Sequence, residues 1–169
     1  MNNFGNITIN KKNYKYMLFD INFLIFLIKT KQLLINSLEA SIRLLRDDNN
    51  FNIYTLIKEN IYVHPYNTLY FIIYKSNEVI STSRIIYKQK SKSCYINMVF
   101  TNEKYRGNKI CQYNINKLIK LTNHIFNKYK LEVFNNNLHA IKCYENIGFT
   151  FFKKLKYKNN IINQMIYIC

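Results

Sequence analysis

Hydrophobic and polar positions change period several times along the chain, and each change marks an element. In the polar stretch Met1–Asn13, Ile7 and Ile9 alternate, which fits a short strand or a loose terminus, and Tyr14–Phe19 reads as the first strand proper. From Asn22 onward Leu24, Leu27, Ile28, Leu34, Ile35, Leu38, Ile42 and Leu45 follow helical spacing and share one face. Asn36 followed by Glu39 resembles a capping box, so two helices with a junction near Asn36 are expected, and Asp47-Asp48-Asn49-Asn50 ends the second. In Phe51–Tyr62 the residues Ile53, Leu56 and Ile57 suit a helix, although the segment is short. After His64-Pro65-Tyr66-Asn67 the pattern becomes that of strands. Leu69–Tyr74 and Val79–Tyr87 flank a hairpin turn, Lys75-Ser76-Asn77-Glu78, and Cys94–Phe100 follows the basic loop Lys88–Lys92. A helix-like stretch, Ile110–Tyr129, leads to a short strand, Leu131–Phe134, and a helix, Leu138–Asn146. Two strands, Thr150–Tyr157 and Ile161–Ile168, close the chain around Lys158-Asn159-Asn160.

This order predicts an α/β (α+β) fold. A mixed, mostly antiparallel sheet is flanked by helices and contains one strand–helix–strand crossover. With no repeat and no linker, residues 1–169 read as a single domain: an N-terminal strand-and-helix part (1–65) and a core (66–169). The crossover favours a ligand at the C-terminal end of Cys94–Phe100, facing the start of the next helix.

Composition changes this picture little. A hydrophobic content of 49% and an aromatic content of 16% argue against disorder. The net charge of +16 points to an anionic partner, such as nucleic acid, acidic lipid or a polyphosphate cofactor. Ala is confined to 40 and 140 and Arg to 43, 46, 84 and 106, while Asn, Ile, Lys and Tyr abound, so much of the Lys excess follows AT-rich codons and nucleic acid is not favoured. The apolar run Met17–Ile28 is interrupted by Asp20 and Asn22 and is too short for a membrane span. Cys94, Cys111, Cys143 and Cys169 lack metal-ligand spacing and the density of a disulfide scaffold; they read as reduced thiols of a cytoplasmic protein, with no metal site.

The chemistry is concentrated in two segments. Tyr105-Arg106-Gly107-Asn108-Lys109-Ile110-Cys111 joins the end of a strand to the start of a helix, where amide groups without intrahelical partners attract phosphate. Leu131-Glu132-Val133, then Asn137, Ala140-Ile141, Tyr144-Glu145 and Gly148-Phe149, form the second. Together they resemble the GNAT acyltransferase superfamily, confidently over Leu69–Ile168 and in element order before that. The first segment looks like the family's Q/R-x-x-G-x-G/A cofactor loop, with Arg106 in its first position, Lys109 where Gly is usual and Cys111 where Gly or Ala is usual.

The resemblance implies acetyl-CoA as cofactor, held by Val99, Phe100 and Thr101, by Arg106, Gly107, Asn108, Lys109, Ile110 and Cys111, and by Asn137, Ala140 and Tyr144. It implies transfer of an acetyl group to a primary amine of a protein, peptide or small molecule by direct attack. In such a site Tyr144 is the acid at the departing sulfur, or else a core tyrosine. Glu132, flanked by Leu131 and Val133, projects from the opposite face of its strand. It is the general base, or else a carboxylate paired with a lysine. The pattern around Glu132 resembles ribosomal-protein and N-terminal α-amine acetyltransferases. Asn137 holds cofactor or backbone, caps its helix, or does both. Glu103 is a second base candidate, while Glu59 and Glu78 are expected farther off. His64 lies in a loop, and His124 and His139 match no catalytic position. No neighbouring base supports a covalent route through Cys94, Cys111 or Cys143, and no Ser sits in a Gly-flanked elbow. The competing readings are a catalytically degenerate GNAT fold and a basic module that binds nucleic acid or the ribosome.

Overall fold

The computed structural model describes residues 2–62 and 66–169; the His64–Pro65 loop lies outside them. The chain runs β1 (Asn3–Ile9), β2 (Lys12–Asp20), α1 (Ile21–Lys29), α2 (Leu33–Arg46), α3 (Ile53–Tyr62), β3 (Tyr66–Lys75), β4 (Glu78–Lys88), β5 (Ser93–Thr101), a 3-10 turn (Glu103–Tyr105), α4 (Ile110–Thr122), β6 (Lys128–Phe134), α5 (Leu138–Ile147), β7 (Thr150–Tyr157) and β8 (Asn160–Ile168). All the strands join one sheet in the order β1-β2-β3-β4-β5-β6-β8-β7. Every pairing is antiparallel except β5 with β6, the pair that α4 connects.

Period-two burial splits the sheet's side chains between two cores. On one face Met17, Phe19, Tyr70, Ile72 and Val79 pack against the apolar stripes of α1, α2 and α3. On the other, Leu18, Phe71, Ile85, Ile96, Leu131 and Met165 pack against α4 and α5. The Asp20 carboxylate caps α1 by accepting from Phe23 N–H at 3.1 Å.

Three expectations need correction. The first two helices divide at Thr30–Gln32, not near Asn36. Lys31 turns the chain at φ 51°, and Asn36 lies inside α2. Glu39 is no capping partner; it pairs with Arg43 and accepts Ile53 N–H at 2.8 Å, fastening α2 to the start of α3. The helix from Ile110 stops at Thr122, and Tyr129 belongs to β6. Phe126 and Tyr129 are both fully buried, so the apolar spacing outlasted the helix while the chain turned back toward the sheet. Nor are the cysteines four reduced thiols: Cys111 and Cys143 form a disulfide.

The core also holds groups that resist ionisation. Burial pushes the Cys94 thiol and the Tyr129 hydroxyl up from ordinary values of 9.0 and 10.0, and pushes Tyr144 up to about 12. Groups raised in the folded state contribute stability in full below their unfolded values, and lose it as pH climbs toward the folded ones. The melting temperature is therefore expected to be flat from neutral pH to about 9, and to fall steeply between about 10 and 12. Scanning calorimetry across that window checks it; an unchanged melting temperature at pH 11 would show that these groups ionise as freely in the folded protein.

Candidate active site

The parallel seam between β5 and β6 is short. Ser93, Cys94, Tyr95 and Ile96 pair with Lys128, Tyr129, Lys130 and Leu131, and there the pairing ends. β5 continues to Thr101 and β6 to Phe134, so the two strands fork. Glu132 is the first residue of β6 beyond the pairing. It is exposed between buried Leu131 and Val133, and it accepts a hydrogen bond from Gln164 Nε2 at 3.0 Å. On the β5 side the register jumps from Thr82↔Phe100 to Arg84↔Asn97, so Met98 and Val99 together face Ser83. This β-bulge, with Met98 at φ 51°, redirects β5 as it enters the fork.

Beyond β5 the 3-10 turn delivers the chain to Arg106–Lys109, which are all exposed. Gly107 has φ +79°, and a Cβ placed there would meet nothing within 4 Å. Asn108 Nδ2 closes the turn by donating to the carbonyls of Tyr105 and Arg106, each at 3.2 Å. Lys109 is the N-terminal boundary of α4 at φ 59°, with no side-chain capping bond. The first helical bond is Tyr113 N–H to Lys109 C=O, so the amides of Ile110, Cys111 and Gln112 precede it. Arg106 Nε donates to Thr101 C=O at 3.2 Å and its Nη1 lies 3.2 Å from Glu103. That exposed ion pair is weak and readily exchanged for a phosphate.

α5 flanks the same region. Asn137 caps it by accepting from Ala140 N–H at 3.2 Å. Gly148 ends it in the left-handed region at φ 108°, which lets Gly148 N–H and Phe149 N–H return to carbonyls of the last turn. Tyr144 is 6% exposed. Its hydroxyl makes no hydrogen bond among the described residues, and it is not among their sealed, unpaired polar atoms.

Sequence comparison gives the family. A model of the Acetyltransferase (GNAT) family matches residues 37–149. The chain belongs to the GNAT acetyltransferase family. No curated relative matches it by sequence.

Solved structures agree on the fold. An acetyltransferase from Salmonella typhimurium that modifies the N-terminal serine of ribosomal protein L7/L12 aligns with TM-score 0.65 at 16% identity, covering 91% of this chain and 95% of its own. RimL, an L7/L12 α-N-protein acetyltransferase in complex with coenzyme A, aligns with TM-score 0.64 at 14% identity over 97% and 98%. SpeG, a spermidine N-acetyltransferase from Vibrio cholerae, aligns with TM-score 0.54 at 17% identity over 68% and 72%.

Acetyl-CoA is the GNAT cofactor, and the turn suits its diphosphate. It has free space at Gly107, unpaired helix-start amides, and the cations of Lys104, Arg106 and Lys109 around it. The left-handed backbone at 109 explains why glycine is usual there. Lys109 adopts it, at φ 59°, and is exposed.

The cysteines are arranged differently from the expectation. Cys111, in the first turn of α4, is bonded to Cys143, the neighbour of Tyr144, with 6.6 Å between their Cα atoms. Of the other two, Cys94 is buried and its thiol is held protonated, and Cys169 is exposed. The sequence also placed Glu78 too far away. Its carboxylate accepts from the Tyr105 hydroxyl at 2.9 Å and from Asn102 Nδ2 at 3.3 Å. Glu78 and Tyr105 line a cavity of about 570 Å³ with Ser37, Lys75, Ser76 and Asn77, and Tyr105 leads directly into the Arg106–Lys109 turn. The hairpin register brings Glu78 there, because the start of β4 lies against the end of β5. His124 and His139 are exposed. No helix among the described residues is long and apolar enough to cross a membrane.

Proposed function

We propose that this GNAT domain, spanning residues 1–169, transfers an acetyl group from acetyl-CoA to a primary amine of a protein or peptide by direct attack. The observation that carries this reading is the fork between β5 and β6, with Glu132 at its apex and the open turn at its rim. When bound, acetyl-CoA supplies an activated acyl group as a thioester. Arg106, Gly107, Asn108, Lys109, Ile110 and Cys111 hold the diphosphate, chiefly through main-chain donors. Val99, Phe100 and Thr101 line the arm along β5, with Asn137 and Ala140 on the opposite side. Main-chain amides of the bulge meet the negative charge that grows on the carbonyl oxygen. Glu132, exposed and held among the described residues by the neutral Gln164 amide, takes the proton of the incoming amine directly or through water. Tyr144 gives a proton to the departing sulfur.

The protein-amine acceptor is supported by the length of the likeness: the L7/L12 N-acetyltransferases cover nearly the whole chain, SpeG about two thirds. A net charge of +16 also disfavours a polycation such as spermidine.

Titration calorimetry with acetyl-CoA tests the cofactor site. Arg106→Glu, which places a second carboxylate beside Glu103, is expected to weaken binding about thirtyfold, the loss of one charge-assisted contact. Unchanged affinity would refute the placement of the diphosphate. A screen of peptides, polyamines and amino acids for thiol release identifies the acceptor; a polyamine preference would overturn the protein-amine reading.

A further inference from the structure

Most of the contact between α4 and the sheet is apolar, but buried polar side chains interrupt it, and one group of them links α4 to β4 and β5. Asn114 and Ser81 are 0% exposed, Ser83 2% and Thr82 3%. Ser83 Oγ donates to Asn114 Oδ1 at 2.6 Å, Asn114 Nδ2 donates to Ser81 Oγ at 3.0 Å, and Ser81 Oγ donates to Phe100 C=O at 2.6 Å. An amide oxygen only accepts and an amide nitrogen only donates, so the direction of every proton in this chain is fixed. From the other face Thr82 Oγ1 donates to Met98 C=O at 2.9 Å.

These hydroxyls have a reason to be buried. The bulge inserts an extra residue into β5 opposite Ser83 and disrupts the ladder there. Buried carbonyls must still be paired, and the two that flank Val99 each receive a side-chain hydroxyl from β4. The Ser81 branch does more, because it continues through Asn114 into α4, one turn from the helix start that carries the cofactor turn.

We infer that Asn114, acting through Ser81, is a positioning residue for acyl transfer: it holds the Met98–Phe100 bulge at a fixed place relative to the diphosphate turn. This rests on the acetyl-CoA reading above. The turn and the bulge lie on different elements, α4 and β5, and must grip two ends of one ligand. A hydrogen-bonded link between them sets that separation more sharply than apolar packing does, and misplacement of about 1 Å costs about a hundredfold in rate.

Ser81 and Ser83 form a matched pair for the test. Each shares a hydrogen bond with Asn114, Ser83 as donor and Ser81 as acceptor, but only Ser81 reaches β5. Isotope-edited infrared spectra of carbon-13 acetyl-CoA bound to the full chain report hydrogen bonding at the thioester carbonyl, and calorimetry reports affinity. In the wild type and in Ser83→Ala the carbonyl band is expected below its free position. In Ser81→Ala and Asn114→Ala it returns toward the free position, and thiol release in the presence of an amine falls about a hundredfold while the Kd changes less than about threefold. All three variants lower the melting temperature, so stability alone does not separate them. An unmoved band in Ser81→Ala, or an equal shift in Ser83→Ala, overturns the inference. If Ser81→Ala does not fold, Ser81→Cys replaces it as a near-isosteric, weaker donor; a wild-type band in that variant likewise overturns it. Absence of acetyl-CoA binding by the wild type would refute the cofactor reading itself, a distinct outcome.

Discussion

Tyr144→Phe is expected to lower acetyl transfer about a hundredfold while leaving acetyl-CoA affinity within about threefold of wild type, the low end of what a positioned acid contributes. The substitution keeps the ring, and with it the contact to Phe149 at 6.1 Å between centroids, so the α5 packing survives. Only the hydroxyl is lost. A buried tyrosine usually finds a hydrogen-bond partner, whereas this one has none among the described residues, which leaves its proton available to a ligand. Burial holds its pKa up at about 12, so the acid form persists through any ordinary assay range. The alkaline limb of the rate profile should therefore be the same in Tyr144→Phe and wild type, with only the plateau lowered. Full activity in the variant would remove the acid role and leave Tyr144 as core.

Breaking the Cys111–Cys143 bond should give the largest loss of stability. The bond closes a loop with a sequence separation of 32, for which chain entropy in the unfolded state gives about 3–4 kcal/mol. In a chain of this size that lowers the melting temperature by about 10 °C. A phosphine reductant and the variants Cys111→Ser and Cys143→Ser should agree, since each opens the same loop. Acetyl-CoA should recover part of the loss by binding the folded state alone. A reduced protein that melts with the oxidised one would show that the bond adds nothing.

Much of this was legible in the sequence where a feature is local. The turn at Tyr105–Cys111 and the segment from Leu131 to Phe149 depend on residue types at fixed offsets, and both fold as their patterns imply. The outward projection of Glu132 follows from strand alternation alone. Asn137 showed its capping role by its place before an apolar periodic run. The misreadings arose where distant parts of the chain decide. Lys31 ends the first helical stretch without a Gly or Asn to announce it. Phe126 and Tyr129 keep helical spacing because a turn and a strand bury them against the same core. The partner of Cys111 is set by how α4 and α5 cross, which spacing does not encode. Glu78 came to Tyr105, at the start of the Tyr105–Cys111 turn, through strand register. The run Ser81-Thr82-Ser83 is an unused signal: three hydroxyls in succession between the apolar pairs Val79-Ile80 and Ile85-Ile86 mark carbonyls that need donors.

The four-residue seam between β5 and β6 has a mechanical consequence. Five strands lie on one side of it and three on the other, so the sheet behaves as two stiff plates sharing a narrow join. The α4 crossover and the sulfur bridge to α5 act as straps across that join, one wound by the chain and one covalent. Spontaneous opening should run along this line, with the five-strand plate and the β6-β8-β7 plate exchanging their amides as separate cooperative units. A molecule wedged into the fork touches both plates, so its binding would slow exchange in the two together.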